Sequence, residues 1–336
     1  MNVPLRSPRF LGRTCVAVPP VGLGIAPLGN LFEEVSESVA QATFSAAIQG
    51  GMTWLDAAPL YGFGLAEERL GRFLKAHPGY KIAVSTKVGR ILKPVEAADN
   101  HEYFKSPLAY RPIFDYSPAG IAHSFEGSLS RLGREHIELL LLHDIDRFHH
   151  PVGHRALVQC LLDKALPAMN RLKGEGCVDA IGLGVNEWDI GYEILSGADL
   201  DCVLLAGRYT LLNYTALTSG FLDACARRGV SVLAAGVFNS GFLAGGQFYD
   251  YRPATEALTH RRAELTQICR KFDVPLPAAA IQFVAAHPAV TSVVIGARSP
   301  QEIADILGWY RMTIPSYFWH QLRSLSLIPE EAPTPV

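Results

Sequence analysis

Four polar residues, each near the point where an apolar run ends, could together move a proton. Asp56 and Tyr61 lie in the segment WLDAAPLYG, Lys87 follows AVST, and His143 follows LLLL. A phenol has a pKa of about 10 and is a poor base at neutral pH, but a neighbouring ammonium lowers this pKa. Lys87 can supply the ammonium and Asp56 its anionic partner, while a neutral imidazole can hydrogen-bond the reacting oxygen. We therefore expect Tyr61 to exchange a proton with a carbonyl or carbinol oxygen while another group moves a hydride.

Eight short apolar runs, most of them followed by a helical pattern, must bring these residues together. Several runs are apolar throughout, which is typical of strands that are buried on both faces. The predicted strands span residues 21–25, 52–57, 81–87, 137–143, 180–185, 202–206, 230–235 and 291–295. Alternation of strands and helices predicts a parallel sheet, and eight units predict a closed (β/α)8 TIM barrel. In such a barrel, the carboxyl ends of all strands meet at one rim.

A glycine cluster after the first predicted strand raises a second architecture, the doubly wound dinucleotide-binding fold. The cluster contains Gly22, Gly24 and Gly29. Its spacing is not G-x-G-x-x-G, Pro27 interrupts it, and no acidic residue ends a strand about 20 residues later. The barrel is therefore the preferred prediction.

Three segments exceed a minimal barrel. Residues 1–20 predict an N-terminal hairpin, within 7–20, that could plug the lower end of the barrel. Residues 88–117 and 236–254 predict long loops at the carboxyl ends of strands, where active sites of barrels are built. The proline-rich end, 326–336, predicts a mobile tail, and residues 1–336 are expected to form one domain.

Composition limits the classes of partner. Hydrophobic residues make up 49% of the 336 residues, and the net charge of −2 gives no bulk attraction to nucleic acid or to an anionic membrane. The apolar runs are shorter than the ~18–20 residues of a membrane helix. The six cysteines form no C-x-x-C pair, and His149, His150 and His154 lack a nearby Cys or Glu to complete a metal site. We predict a cytoplasmic protein with a small-molecule substrate and no metal, and its oligomeric state stays open.

Longer motifs around the four polar residues resemble a known family. These motifs are GMTWLDAAPLYG at 51–62, STKVG at 85–89, and the Leu-His pair that ends at His143. They resemble the aldo-keto reductases, and the likeness covers nearly the whole chain. The resemblance implies a (β/α)8 barrel that uses NAD(P)(H) to interconvert carbonyls and alcohols. It also implies that Tyr61 is the proton donor or acceptor, that Lys87 and Asp56 assist it, and that His143 lies in the substrate oxyanion pocket.

Residues after the later strands are candidates for holding this cofactor. The amide of Asn186 can donate to and accept from a nicotinamide carboxamide, and by resemblance Tyr209 stacks on the nicotinamide ring. A loop of small residues can approach a pyrophosphate closely through its backbone N–H groups. The loop that resembles the family's cofactor-holding segment comprises Gly236, Val237, Phe238, Asn239, Ser240 and Gly241, with Leu243 expected beneath the cofactor.

The segment that follows the last strand predicts NAD over NADP. NADP-preferring relatives often have a lysine and a later arginine here, whereas this chain has Gly296 and Glu302. A carboxylate repels a 2′-phosphate but can accept a hydrogen bond from a ribose 2′-hydroxyl. Gln301 belongs to the same candidate cofactor segment, and Arg298 stays available as a phosphate partner.

The loops resemble those of a particular branch of the family. PLYGFGLAEERLG and STKVGR resemble NAD-dependent aldose 1-dehydrogenases, such as those for L-fucose and D-threo-aldoses, and pyridoxal 4-dehydrogenases. Tyr110, Asp144 and Trp188 are expected at the mouth of the pocket, where polar side chains suit a hydroxyl-rich substrate. The first prediction is oxidation of an aldose at C1 to the aldonolactone, with Tyr61 as general base. Oxidation of pyridoxal to 4-pyridoxolactone, NADPH-dependent carbonyl reduction and a nucleotide-sensing binding subunit are the alternatives.

Overall fold

Eight parallel strands close into a barrel in this computed structural model, which describes residues 7–97 and 103–335. The strands in the described residues are β1 (Arg9–Phe10), β2 (Ala17–Val18), β3 (Val21–Gly24), β4 (Trp54–Asp56), β5 (Ala83–Val88), β6 (Arg90–Pro94), β7 (Tyr110–Phe114), β8 (Ile137–His143), β9 (Val178–Val185), β10 (Cys202–Ala206), β11 (Ser231–Ala235), β12 (Phe248–Tyr249), β13 (Arg252–Pro253) and β14 (Val290–Gly296). The barrel runs β3-β4-β5-β8-β9-β10-β11-β14 and closes from β14 back onto β3. The predicted (β/α)8 barrel is confirmed, and the doubly wound alternative is wrong.

Helices cover the outside of this barrel. They are α1 (Glu37–Gln49), α2 (Leu65–Ala76), α3 (Pro118–Leu132), α4 (His154–Cys160), α5 (Leu166–Gly174), α6 (Trp188–Gly197), α7 (Thr215–Thr218), α8 (Phe221–Arg228), α9 (Glu256–Lys271), α10 (Leu276–Ala285), α11 (Pro300–Arg311) and α12 (Ser316–Ser324). Their ends follow local chemistry, since Ser117 caps the start of α3 and Gly133 ends it in a left-handed conformation. None of the helices in the described part of the chain has the length and apolar content of a membrane span.

The N-terminal hairpin fills the lower end of the barrel. Strands β1 and β2 pair antiparallel. Leu11, Val16 and Val18 are buried in a cluster with Trp54 and other inward-facing strand residues. This burial removes the apolar base of the barrel from water, as the sequence predicted for residues 7–20. Residues 1–6, which belong to the same predicted segment, lie outside the described residues.

Both predicted long loops carry small antiparallel hairpins beyond the carboxyl ends of the strands. Strands β6 and β7 form one within 88–117, of which residues 98–102 lie outside the described part. Strands β12 and β13 form the other within 236–254. In the predicted tail 326–336, Leu327 and Ile328 are buried, and the guanidinium of Arg323 bonds the Ala332 carbonyl. Those residues therefore pack on the barrel, while residue 336 lies outside the described range.

Candidate active site at the carboxyl ends of the strands

Asp56, Lys87 and Tyr61 meet at the upper rim, together with Ser85, and we call these four residues the strand-end group. The Nζ of Lys87 lies 2.7 Å from Asp56 Oδ2, 2.7 Å from the Ala57 carbonyl oxygen and 3.0 Å from the Tyr61 hydroxyl. An ammonium has three N–H donors, and these three acceptors use all of them. The Tyr61 oxygen therefore accepts from Lys87, and its own proton is left for another acceptor.

The register of two neighbouring strands and one close backbone contact place this group. Asp56 on β4 pairs with Ser85 on β5, so Lys87, two residues further along, shares the inner face of β5. The turn that carries Tyr61 packs backbone to backbone against the loop after β3. A Cβ at Gly29 would lie 2.7 Å from the Tyr61 carbonyl carbon. The glycine that suggested a dinucleotide fold thus allows this loop to support the Tyr61 turn.

The Tyr61 phenol is protonated at neutral pH. Burial, and then the negative charges of Asp56 and Asp144, raise the pKa of Tyr61 well above its usual value of 10.0. This direction is opposite to the expected effect of Lys87. The physical reason is that Asp56 largely neutralises the Lys87 charge, which leaves burial as the dominant influence on the phenol.

His143 ends β8 and faces Tyr61. The two rings form an edge-on contact with centroids 6.2 Å apart. Burial lowers the pKa of His143 from 6.5 to about 3, although the charge of Asp144 opposes this change. The imidazole is therefore neutral at neutral pH, as the sequence predicted. Its Nδ1 is buried and has no hydrogen-bond partner among the described residues.

Beyond His143 lies a second set of charged residues, Arg90, Asp144, Asp146 and His149, which we call the loop group. Arg90 donates to Asp144 Oδ2 at 2.7 Å. His149 Nδ1 lies 2.7 Å from Asp146 Oδ1, and Asp144 Oδ1 lies 3.5 Å from His143 Nε2. Burial opposes the charge of Asp144, but neighbouring His143 and Arg90 hold its pKa below its usual range. Asp144, predicted from the sequence, is thus an ionised acceptor beside His143.

Three members of the loop group carry ligand atoms within 4.8 Å of one another, namely Asp144, Asp146 and His149. The guanidinium of Arg90 already supplies a positive charge to Asp144, and His149 pairs with Asp146. The structure therefore explains this cluster as ion pairs. Of the other two histidines considered as metal ligands from the sequence, His150 contacts the Tyr116 hydroxyl and His154 contacts Glu193.

Two predicted nicotinamide contacts need correction. The side-chain N–H groups of Asn186 face Asp144 and Asp146, at 3.3 and 3.4 Å, so only its oxygen is left to bond a carboxamide. The ring of Tyr209 is 2% exposed and packs against Phe283 and His287, each with centroids 5.3 Å away. The prediction that Tyr209 stacks on the nicotinamide is therefore wrong, because the core covers its ring.

The loop after β11 fits a phosphate-bearing cofactor. Gly236, Asn239, Ser240 and Gly241 all have positive φ, which turns the backbone sharply. The Oδ1 of Asn239 is buried and has no hydrogen-bond partner among the described residues. An unpaired buried acceptor is costly, so a ligand donor would stabilise it. The remaining loop residues divide by exposure: Val237 and Leu243 are buried, while Phe238 is partly buried.

Glu33, which the sequence did not single out, lies with the residues predicted to select NAD. Glu302 accepts from the backbone N–H of Arg298 at 2.8 Å and from its guanidinium at 3.1 Å. Glu33, from the loop after β3, lies 2.9 Å from the same guanidinium. Gly296 ends β14 against Pro27, and exposed Gln301 bonds Asp305. Two carboxylates therefore neutralise Arg298, the side chain left as a possible phosphate partner.

The residues predicted to bind substrate do not all lie at the site. Trp188 begins α6 directly above β9 and packs partly against the core. Tyr110 lies at the far end of the β6–β7 hairpin, opposite Pro94, and lines a surface groove with Arg72 and Arg131. The expectation that Tyr110 lies at the pocket mouth is wrong, because the hairpin carries it away from the rim.

Several aromatic side chains that the sequence analysis did not include among the site residues surround the mouth of the site. The ring of Phe104 lies 6.3 Å from that of Tyr61. Phe32 stacks on Phe248 with centroids 5.5 Å apart, and Tyr103 and Tyr251 complete the cluster. These rings come from three separate loops, so no local pattern could have joined them.

Comparison with known proteins agrees with this arrangement. The barrel and its rim residues place the chain among oxidoreductases that act on CH–OH groups. It belongs to the aldo-keto reductase family, whose Aldo/keto reductase family model matches residues 20–327. Members of this family use nicotinamide cofactors.

Two relatives match almost the full length of the chain. A pyridoxal 4-dehydrogenase from Microbacterium luteolum is 40% identical over 98% of this chain and 100% of the relative. A D-threo-aldose 1-dehydrogenase from a Pseudomonas species is 39% identical over 94% of this chain and 96% of the relative. Among solved structures, a glycerol dehydrogenase from Gluconobacter oxydans superposes with a TM-score of 0.74 at 20% identity, covering 98% of this chain and 97% of that one. That likeness supports the fold alone.

Proposed function

We propose that the protein is an NAD-dependent dehydrogenase that oxidises an aldose at C1 to the aldonolactone. One observation carries the proposal: the Tyr61 oxygen accepts a hydrogen bond from Lys87, which would stabilise its ionised form, and it lies beside a neutral imidazole. This geometry suits proton exchange at an oxygen whose carbon loses or gains a hydride.

In this proposal, some residues transfer the proton and others orient the substrate. A nicotinamide cofactor, when bound, would supply the acceptor for the hydride of C1. Ionised Tyr61 takes the C1 hydroxyl proton, and Lys87, held by Asp56, stabilises the phenolate. Neutral His143 hydrogen-bonds the reacting oxygen. Because the pKa of Tyr61 is raised, the phenol is largely protonated at neutral pH, and oxidation should accelerate as pH rises.

The loop group supports a substrate that carries several hydroxyls. Ionised Asp144 is a hydrogen-bond acceptor, and Arg90 at 2.7 Å holds it in place beside His143. Hydroxyls of a sugar can add a further hydrogen bond to this carboxylate, which a simple alkyl alcohol cannot do. The similarity to the D-threo-aldose 1-dehydrogenase agrees with this substrate class.

Pyridoxal is a second candidate, favoured by the aromatic residues at the mouth. Phe104 lies beside Tyr61, and the cluster around Phe32 offers further aromatic surface. An aromatic substrate ring can stack on such side chains. The cyclic hemiacetal of pyridoxal would lose a hydride and a proton in the same way as an aldose and give 4-pyridoxolactone. The similarity to the pyridoxal 4-dehydrogenase agrees with it.

The pairing of Arg298 supports NAD as the cofactor. Its guanidinium is held by Glu302 and Glu33, so a 2′-phosphate would have to approach two carboxylates. A ribose 2′-hydroxyl would instead donate to one of them. The small residues of the loop after β11 and the buried Asn239 Oδ1 are the other parts of the proposed cofactor site.

The test is the initial rate of NADH formation with L-fucose, D-arabinose, L-galactose or pyridoxal. We expect turnover of the sugars with NAD⁺, little with NADP⁺, and no turnover by Tyr61→Phe. Glu302→Arg should raise kcat/KM for NADP⁺ relative to NAD⁺. Turnover of pyridoxal alone would replace the sugar by the second candidate. A strong preference for NADPH and carbonyl reduction would contradict the proposal, as would NADH binding without turnover, which fits a nucleotide-sensing subunit.

A further inference from the structure

We propose that Ser85 and Trp54 are positioning residues that fix the Asp56 carboxylate beneath Lys87 and Tyr61. The inference rests on the proposed roles of Asp56, Lys87 and Tyr61. It adds two residues from the barrel interior that contact neither substrate nor cofactor.

The geometry is a continuous line of hydrogen bonds. The indole N–H of Trp54 donates to Ser85 Oγ at 3.1 Å, and Ser85 Oγ donates to Asp56 Oδ1 at 2.7 Å. The other oxygen of Asp56 accepts from Lys87, which donates to Tyr61. Trp54, Ser85, Asp56 and Lys87 are all buried. The line therefore runs without solvent from the barrel base to the phenol.

Strand geometry explains why these residues meet. Trp54 and Asp56 are two residues apart on β4, and Ser85 and Lys87 are two apart on β5. Since alternate residues of a strand point to the same face, all four side chains lie inside the barrel. Gly22 on β3 makes room for the indole, because a Cβ there would lie 2.4 Å from Trp54 Cε3.

The direction of each hydrogen bond follows from the donor and acceptor types alone. An indole N–H can only donate, so Ser85 Oγ is the acceptor of the first bond. A carboxylate can only accept, so the Ser85 proton must point to Asp56. Trp54 thereby prevents the hydroxyl from rotating, and Ser85 leaves Oδ2 of Asp56 directed at Lys87. A carboxylate held at one oxygen only could rotate and weaken the hold on Lys87.

The experiment compares Ser85→Ala with a matched control on the same strand. Thr86→Val also removes one buried hydroxyl, which donates to Glu67, but it lies on the opposite face of β5 from Asp56. For whichever alcohol the enzyme oxidises, we expect kcat to fall about tenfold in Ser85→Ala, with the NADH dissociation constant unchanged. Thr86→Val should lower the unfolding temperature and leave kcat within twofold of wild type.

A double-mutant cycle tests whether Trp54 acts through Ser85. Trp54→Phe keeps an aromatic ring and removes the N–H, and we expect a two- to threefold fall in kcat. Added to Ser85→Ala, it should have no further effect. Independent effects that multiply, or a Ser85→Ala enzyme with wild-type kcat, would overturn the proposal. If Ser85→Ala does not fold, Ser85→Cys, a weaker donor of similar size, replaces it in the cycle.

The same measurements separate this inference from the proposed function. Tyr61→Phe is assayed beside the other variants. If Tyr61→Phe keeps wild-type kcat, the assignment of the proton-transferring residue fails, and the proposed function with it. If Tyr61→Phe is inactive and Ser85→Ala is unaffected, only the positioning role is wrong.

Discussion

Two groups of buried and partly buried polar residues flank His143, and they are supported by different kinds of structure. In the strand-end group, Asp56, Lys87 and Ser85 lie on β4 and β5, whose register fixes their spacing. In the loop group, every residue follows the end of a barrel strand, and Asp144 has a positive φ of 51°. Neighbouring strands constrain the first group, whereas hydrogen bonds among side chains constrain the second. Under the proposed function, this difference would tie proton transfer to the barrel and substrate recognition to the loops.

Lys87→Met should have the largest effect, because it breaks the strand-end group at its centre. Tyr61 loses its donor and Asp56 is left as an unpaired buried charge. We expect kcat to fall at least about a hundredfold and stability to fall by about 3–5 kcal/mol. Steady-state kinetics and urea unfolding measure the two effects.

A double variant provides the control. Asp56→Asn combined with Lys87→Met removes the unpaired charge, so it should recover part of the lost stability but none of the activity. If Lys87→Met kept activity within tenfold of wild type, proton transfer would not depend on the strand-end group, and the contrast between the groups would be lost.

Asp144→Asn should act mainly on the substrate. It removes the acceptor charge from the loop group and leaves Arg90 without its 2.7 Å ion pair. We expect KM for the sugar to rise about tenfold, as for loss of one good hydrogen bond to a charged group, with a smaller change in kcat. The KM for NAD⁺ serves as the internal control. An unchanged sugar KM would remove the loop group from substrate recognition.

The smallest expected effect is on the pH dependence of stability. It tests His143, which lies between the strand-end group and the loop group. Folding lowers the pKa of His143 from 6.5 to about 3, so the unfolded chain binds its proton first as pH falls. Neutral His143 therefore costs no stability above about pH 6.5, and stability declines as the pH falls from there toward 3. His143→Asn should make the pH dependence of urea unfolding shallower in that window. An unchanged slope would mean that another group causes it.

Much of this arrangement follows from local sequence. The predicted bounds of strands 137–143 and 202–206 match the observed ones, since a short, mainly apolar run between turn residues has few alternatives. The helical segment that follows β8 is less regular than a single α-helix. A π-helical turn at Leu161–Ala165 precedes Pro167, which has no N–H to continue the ladder.

Local sequence likewise predicted some residues of the candidate site but not others. Asp56, Lys87 and His143 could be selected because each follows an apolar run near the end of a strand, and Tyr61 because it lies five residues after Asp56. Tyr110 and Tyr209 could not be placed, since neither the direction of the β6–β7 hairpin nor the packing of α10 on Tyr209 is encoded near those residues. Glu33 was missed for a related reason, because its partner Arg298 is distant in sequence.

The sequence by itself determined the barrel and the residues at its rim, because strand alternation and the types of the strand-end side chains are local properties. Only the tertiary structure decided the protonation of Tyr61, since burial and the charges of Asp56 and Asp144 act across elements that are distant in the chain. The pairing of Arg298 with two carboxylates and the line from Trp54 to Tyr61 depend likewise on strand register and loop packing. Such properties arise from distances between remote residues, which a linear pattern does not contain.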